Sequence, residues 1–145
     1  MASITGWRRW LFFLCLVMSA WSIAGLIANP DFSVGQEATS VQVLGVDFNA
    51  WHALAGLAIF LPGLVAAHRD AYAVPYTWAA IVSMSGGLLG LFTDRPLGLF
   101  YFANVASDIA LHLGTVAAFA ALLLLRRWEL GRSLGSMSVT RDADG

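Results

Sequence analysis

Four apolar runs of near-membrane length dominate this chain and constrain its fold more than any other feature. They cover residues 10–28, 48–67, 77–93 and 109–125. Each is close to the roughly 20 residues that a helix needs to cross a hydrocarbon layer about 30 Å thick. Of the 145 residues, 59 % are hydrophobic and 12 % are charged, a balance outside the usual range of soluble domains. The sequence therefore predicts an all-α, four-transmembrane-helix bundle.

The arginines indicate how this bundle is oriented. Six of the eight arginines flank the predicted spans on one side: Arg8, Arg9, Arg69, Arg126, Arg127 and Arg132. The opposite side carries Arg95 alone. The positive-inside rule then predicts a multi-pass protein of the plasma or inner membrane with both termini in the cytoplasm. A cleavable signal peptide is the alternative for the first run, because a basic pair followed by an apolar stretch resembles that pattern.

The segments between and after the spans differ in character. Residues 1–132 are predicted to form the membrane domain, and the Gly/Ser-rich, then acidic residues 133–145 a disordered cytoplasmic tail. In the first outer loop, residues 41–46 are predicted to form a short strand or an extended segment. In the second, residues 94–107 are predicted to lie at the lipid interface or to pack on the bundle.

Two short segments place a histidine just inside an apolar run: Asn49-Ala50-Trp51-His52 and Asp108-Ile109-Ala110-Leu111-His112. An ionisable side chain at membrane depth costs about 3 kcal/mol or more unless it has a partner or a purpose. If the second and fourth helices are neighbours, the imidazoles meet directly or through Asp108 or Asn49. Two crossings separate these helices, so they run in the same direction, which is compatible with a two-helix internal repeat.

Small residues at helical spacing predict where the helices approach one another. Lipid tails are as apolar as leucine, so helices in a bilayer associate through close backbone contact rather than hydrophobic burial. The glycines predicted to be packing positions are Gly56, Gly63, Gly86, Gly90 and Gly114.

The stretches at 45–57 and 104–114 also resemble a known family. They read Gly-Val-Asp-Phe-Asn-Ala-Trp-His-Ala-Leu-Ala-Gly-Leu and Asn-Val-Ala-Ser-Asp-Ile-Ala-Leu-His-Leu-Gly. They look like the histidine motifs of an uncharacterised four-helix membrane family, common in actinobacteria and known only as a domain of unknown function. The likeness covers roughly residues 10–125 and implies a four-span bundle with a histidine near the outer start of spans 2 and 4. It implies no activity.

The function favoured by the sequence is that of a small accessory or scaffold subunit of a larger membrane complex, for example a respiratory one. In this interpretation His52, His112, Asp108 and Asn49 form an interhelical polar cluster that fixes the register of the helices. The partners are then the lipid bilayer and either another membrane protein or further copies of the chain, and no cofactor is needed.

Two alternatives use the histidines differently. Paired imidazoles on separate helices are what haem b needs in a bundle, and imidazole together with carboxylate also suits a divalent metal such as zinc. Histidines that titrate near neutrality could instead serve a small transporter or a proton-handling protein.

Other classes of function lack their signatures. The sequence has no HExxH, CxxC or Gly-rich phosphate-binding motif, so no enzyme is predicted and no catalytic residue is assigned. The net charge is −1 and lysine is absent, which argues against nucleic acid as a partner. Cys15 lies inside the first apolar run and is interpreted as a small hydrophobic residue.

Overall fold

The computed structural model describes residues 4, 6–34, 39–92 and 106–143, and the side chains of these residues except 90, 91 and 134–143. The described chain contains four α-helices: α1 (Trp7–Ala28), α2 (Ala50–Ala66), α3 (Asp70–Ser85) and α4 (Ala106–Ala143). Two short strands, β1 (Val41–Val43) and β2 (Val46–Phe48), separate α1 from α2, and a 3-10 helix (Gly86–Leu91) extends α3. The predicted helical architecture is confirmed, with a small sheet added to it.

Two of these helices are long and apolar enough to cross a membrane. They are α1 and the stretch Ala106–Ser133 of α4. α2 is also apolar but has 17 residues, and α3 has 16. Helix α4 continues to Ala143, so helical backbone covers residues 133–143 of the tail for which the sequence predicts no regular structure.

The third helix departs from its predicted bounds of 77–93. It begins at Asp70, where an acidic side chain in the first turn complements the positive end of the helix dipole. It ends as α-helix at Ser85, because Gly86 and Gly87 have low helix propensity, and the chain tightens into the 3-10 helix. The predicted interfacial segment at 94–107 lies almost entirely outside the described residues.

The two strands form an antiparallel β-hairpin over the ends of the helices. Val41 pairs with Phe48 and Val43 with Val46, which leaves Leu44 and Gly45 at the turn. Both turn residues have positive φ, at 52° and 83°, as the tight turns that match strand twist require. The Trp21 indole of α1 donates a hydrogen bond to the Val43 carbonyl at 3.2 Å. The predicted extended segment at 41–46 is therefore a hairpin held against α1.

The helices are arranged as a ring in chain order. α1 packs on α2 and α3 on α4, while α2 also contacts α3 and α1 contacts α4. α2 and α4 consequently lie across the bundle from each other. The core between the helices contains Leu11, Cys15, Phe60, Thr77 and Phe119, all at most 2 % exposed. The aromatic rings of Phe60 and Phe119 stack with centroids 6.4 Å apart.

The glycines predicted to be packing positions have two different kinds of surroundings. A Cβ at Gly56 would overlap Ser22 of α1, and one at Gly63 would overlap Cys15 and Tyr76. At Gly86 and Gly114 a Cβ would meet no atom within 4 Å. These two glycines face open space because the chain turns away into the 3-10 helix at one and α4 faces outward at the other. The surroundings of Gly90 lie outside the described side chains.

Several of the described arginines lie at the end of the bundle opposite the hairpin. The Arg8 guanidinium donates to the carbonyl of His68 at 3.1 Å, which joins the start of α1 to the turn between α2 and α3. Arg126 of α4 lies 3.1 Å from the Asp70 carboxylate at the start of α3. α1, α2 and α3 therefore each have one end at this cluster of arginines, and α4 passes it at Arg126.

Candidate metal centre

Three ionisable side chains meet near the hairpin end of the bundle. The Nε2 atom of His52 lies 3.5 Å from Oδ1 of Asp108, and Nε2 of His112 lies 3.7 Å from Oδ2 of the same carboxylate. One potential ligand atom from each residue lies within 4.8 Å of the others. Asp108 is 1 % exposed. A carboxylate buried this completely needs compensating positive charge or hydrogen bonds.

Local contacts at the start of α2 fix His52. Asn49 is the N-cap residue, and its side-chain oxygen accepts a hydrogen bond from the His52 backbone N–H at 2.8 Å. The imidazole stacks on Phe48, with ring centroids 4.8 Å apart. Its Nδ1 atom lies 2.9 Å from the carbonyl oxygen of Asp47. The cap and the strand therefore aim Nε2 of this ring toward Asp108.

His112 is fixed by a different element. It lies one turn after Asp108 on α4, and its Nδ1 atom is 3.0 Å from the carbonyl oxygen of Met84 at the end of α3. Gly87 supplies the space for the ring, because a Cβ there would overlap Nδ1, Cγ and Cε1 of the imidazole. The two histidine rings end up nearly parallel, with centroids 6.4 Å apart and an interplanar angle of 12°.

The main-chain contacts determine the tautomer of both histidines. A carbonyl oxygen only accepts hydrogen bonds, so Nδ1 of each ring carries the hydrogen and donates it. In a neutral ring Nε2 then presents a lone pair, and both Nε2 atoms face the carboxylate of Asp108. Within the part of the chain that the structure describes, Oδ1 of Asp108 accepts no hydrogen bond. Three electron-rich groups thus converge on a space that a cation would stabilise.

Two distances between potential ligand atoms can be compared with those of a metal site. With metal–ligand bonds of about 2.0–2.1 Å, tetrahedral zinc separates its ligands by about 3.4 Å. Octahedral coordination with bonds of the same length brings neighbouring ligands to about 3.0 Å. The observed 3.5 Å to Oδ1 and 3.7 Å to Oδ2 of Asp108 are closer to the tetrahedral value, and all three ligand atoms lie within 4.8 Å of one another. They also exceed the 2.7–2.9 Å or so of a charge-assisted N–H···O hydrogen bond.

A cavity of about 220 Å³ adjoins this cluster. Its walls come from all four helices and from the 3-10 helix, and they are mostly apolar. The polar groups of His52, Asp108 and His112 form part of its lining. A tetrahedral ion held by these three residues would have its fourth position open, and the three residues lie at the wall of this largely apolar cavity.

The chain was compared with known protein families, curated proteins and solved structures. The family described as a domain of unknown function, DUF4383, matches residues 8–125. The chain belongs to the DUF4383 family. No curated protein and no solved structure matches it. The resemblance to an uncharacterised family, expected over roughly residues 10–125, is confirmed. Two expectations stay predictions: that DUF4383 proteins are common in actinobacteria, and that they share the two histidine motifs.

For this DUF4383 chain, the structure brings together three of the four residues predicted to form a polar cluster. His52, Asp108 and His112 meet, with Asp108 between the two imidazoles and α2 and α4 on opposite sides of the bundle. Asn49 is not part of this cluster of side chains. Its side-chain oxygen caps α2 by accepting a hydrogen bond from the backbone N–H of His52.

Sequence reasoning missed three contributors to the site. The carbonyls of Asp47 and Met84 have no sequence signal, because every residue has one. Phe48 could have been noticed as the aromatic residue four positions before His52. Gly87 was interpreted from the sequence as a helix-packing glycine beside Gly86, and its contact with the His112 ring was not predicted.

Proposed function

We propose that this DUF4383 protein is a four-span membrane protein that binds a divalent transition-metal ion, with zinc as the best match, through His52, Asp108 and His112. One observation carries the proposal: both histidines donate Nδ1–H to main-chain carbonyls while both Nε2 atoms face one buried carboxylate. In metal-binding histidines the ring nitrogen that does not bind the metal usually donates a hydrogen bond of this kind, because that bond fixes both the tautomer and the orientation of the ring.

The distribution of side chains supports four spans rather than two. Each helix directs a large apolar residue outward, with Val17 61 %, Val65 73 %, Val82 70 % and Leu124 68 % exposed. Hydroxyl side chains are buried between the helices instead, at Ser22, Thr77 and Thr115. A chain with apolar side chains outward and polar ones inward is suited to lipid rather than water. The 17 residues of α2 and the 22 of α3 with its 3-10 extension are long enough to cross with local adjustment.

The orientation follows from the two ends of the bundle. The arginine cluster near the turn between α2 and α3 faces the cytoplasm by the positive-inside rule. The metal site and the β-hairpin then lie toward the outer surface of the plasma or inner membrane. A site just below that surface can exchange its ion with the outer compartment.

Haem fits this geometry poorly. Axial ligation requires two imidazole nitrogens to approach an iron atom from opposite faces of a porphyrin. Here both Nε2 atoms are directed at the carboxylate of Asp108, which occupies the position between them. The accessory or scaffold role and the transport role stay predictions, and a metal site of this kind is compatible with both.

The direct test is metal content and affinity in the purified protein. The full chain is produced with a histidine-free tag, extracted in mild detergent and analysed by elemental mass spectrometry and zinc titration. We expect close to one zinc per chain. His52→Ala, His112→Ala and Asp108→Asn should each weaken zinc binding by more than about 100-fold, since even outer-shell partners are worth 10–100-fold.

His68→Ala is the matched control. This third histidine lies in the turn between α2 and α3, where its ring contacts Phe12, and it is not part of the cluster. The variant should bind zinc as the parent does. Equal zinc binding by the parent and all three ligand variants, with each confirmed as folded, would disprove the metal-binding proposal.

A labelling experiment tests the orientation separately. Cys15 is buried and is replaced by alanine, after which a new cysteine is placed at Leu44, which is 87 % exposed at the hairpin turn, or at Arg132 on the arginine side. In intact cells a membrane-impermeant maleimide should label Leu44→Cys and leave Arg132→Cys unlabelled. Labelling of Arg132→Cys alone would reverse the orientation.

A further inference from the structure

The cavity beside the metal site has the dimensions of a binding site for a small apolar molecule. An engineered protein cavity of about 150 Å³ is known to hold benzene. The cavity here, at about 220 Å³, is therefore suited to a single ring bearing a few further carbon atoms.

The residues that line the cavity indicate the chemistry of such a molecule, both for its apolar part and for its polar group. Trp21, Phe48, Phe60, Met18 and Met84 provide aromatic and thioether surface, which favours a flat, apolar body. At the polar part of the lining, Asp108 is 1 % exposed, and its Oδ1 atom accepts no hydrogen bond from the described residues. A carboxylate oxygen accepts and does not donate, so the complementary group on the ligand must carry a hydrogen.

We infer that this cavity binds a ring-sized apolar molecule with a single hydroxyl group, of the phenol class, whose O–H donates to Asp108. A carbonyl head group would place two acceptors against each other and is disfavoured. The inference rests on the proposed function in one respect: with a metal bound, the hydroxyl oxygen takes the open fourth position. The hydrogen bond to Asp108 and the filling of the cavity do not require the metal.

The experiment uses cobalt(II) as a coloured substitute for zinc in the full-length protein. Thymol, a phenol with one ring and four additional carbons, is the probe, and p-cymene, the same molecule without the hydroxyl, is its control. Thymol should shift the visible absorption bands of cobalt, and p-cymene should not. Thymol should also bind at least tenfold more tightly than p-cymene.

Two variants separate occupation of the cavity from loss of the metal. Ala55 lines the cavity, and Ala55→Phe should fill it, so that cobalt binding is kept while the response to thymol is lost. Ala58 lies on the exposed side of the same helix, and Ala58→Phe should respond to thymol like the parent. An unchanged response in Ala55→Phe, or equal responses to thymol and p-cymene, would overturn the inference while leaving the metal site intact.

The failure of the metal proposal has a different signature. If no cobalt bands form, thymol and p-cymene are compared through the unfolding temperature of the metal-free protein. Greater stabilisation by thymol than by p-cymene, lost in Ala55→Phe, would support the phenol site without the metal. Equal stabilisation by the two compounds would overturn it.

Discussion

The backbone of Gly87 lies directly against the imidazole ring of His112, so closely that a Cβ would overlap three ring atoms. Gly87→Ala should push the ring away from Met84 and turn Nε2 out of line with Asp108. We expect a loss of zinc affinity of about 10–100-fold, the range for residues that orient metal ligands. Zinc titration of the detergent-purified protein measures this. Gly86→Ala is the control, since a Cβ there meets nothing within 4 Å. Equal losses in both variants would contradict this role of Gly87.

Asn49 should act on the site through the helix rather than by binding the metal. Asn49→Ala removes the acceptor for the His52 backbone N–H, and loss of such a cap costs about 1 kcal/mol of stability. The loosened first turn of α2 should also weaken zinc binding. Asn49→Ser keeps an N-cap acceptor and should restore most of both properties in thermal unfolding and zinc titration. If serine is as harmful as alanine, capping is not the function of this side chain.

Gly63 should tolerate no side chain. Gly63→Ala places a methyl group against Cys15 and Tyr76, and overpacking of a close contact costs roughly 1–3 kcal/mol. Gly114→Ala is the matched control on α4, where space is open and the higher helix propensity of alanine is worth up to about 1 kcal/mol. Chemical or thermal unfolding in detergent should show lower stability for the first variant and unchanged or higher stability for the second. The opposite order would show that the contact of α2 with α1 and α3 is not as tight as described.

Asp31 in the outer loop should titrate at unusually low pH. Hydrogen bonds from the Ser33 side chain and backbone, and from the Thr39 hydroxyl, lower the pKa of this carboxyl from 3.8 to about 2. A pKa below the unfolded value means that the carboxylate contributes stability above about pH 4, and that this contribution is lost as the pH falls toward 2. NMR titration of the carboxyl carbon measures the pKa directly. Ser33→Ala should raise it toward the ordinary value, and an unchanged pKa in that variant would contradict the assignment.

Short-range features of the site could be predicted from the sequence. Asn49 stands three residues before His52 and Asp108 four before His112, and both spacings operate within one helical turn. The apolar runs likewise predict the helical architecture, and the arginine distribution predicts its orientation. These features depend on residues close together in the sequence, so they can be predicted without knowing which helices are in contact.

Long-range features could not be predicted in the same way. The partner of His112 is the carbonyl of Met84, 28 residues away, and the space for its ring comes from Gly87. The sequence analysis expected the imidazoles to meet, directly or through Asp108 or Asn49, if α2 and α4 were neighbours. In the structure the two helices lie across the bundle from each other, Asp108 lies between the two imidazoles, and the cavity adjoins them.

For the four-span, metal-binding protein proposed above, the ring-like order of the helices has a consequence for assembly. His52 belongs to the first helical pair, α1 and α2, whereas Asp108 and His112 belong to the second, α3 and α4. A half-inserted chain has only part of the triad, so an ion held by all three ligands stabilises the finished bundle selectively. Metal occupancy would then report, molecule by molecule, that biogenesis in the membrane is complete.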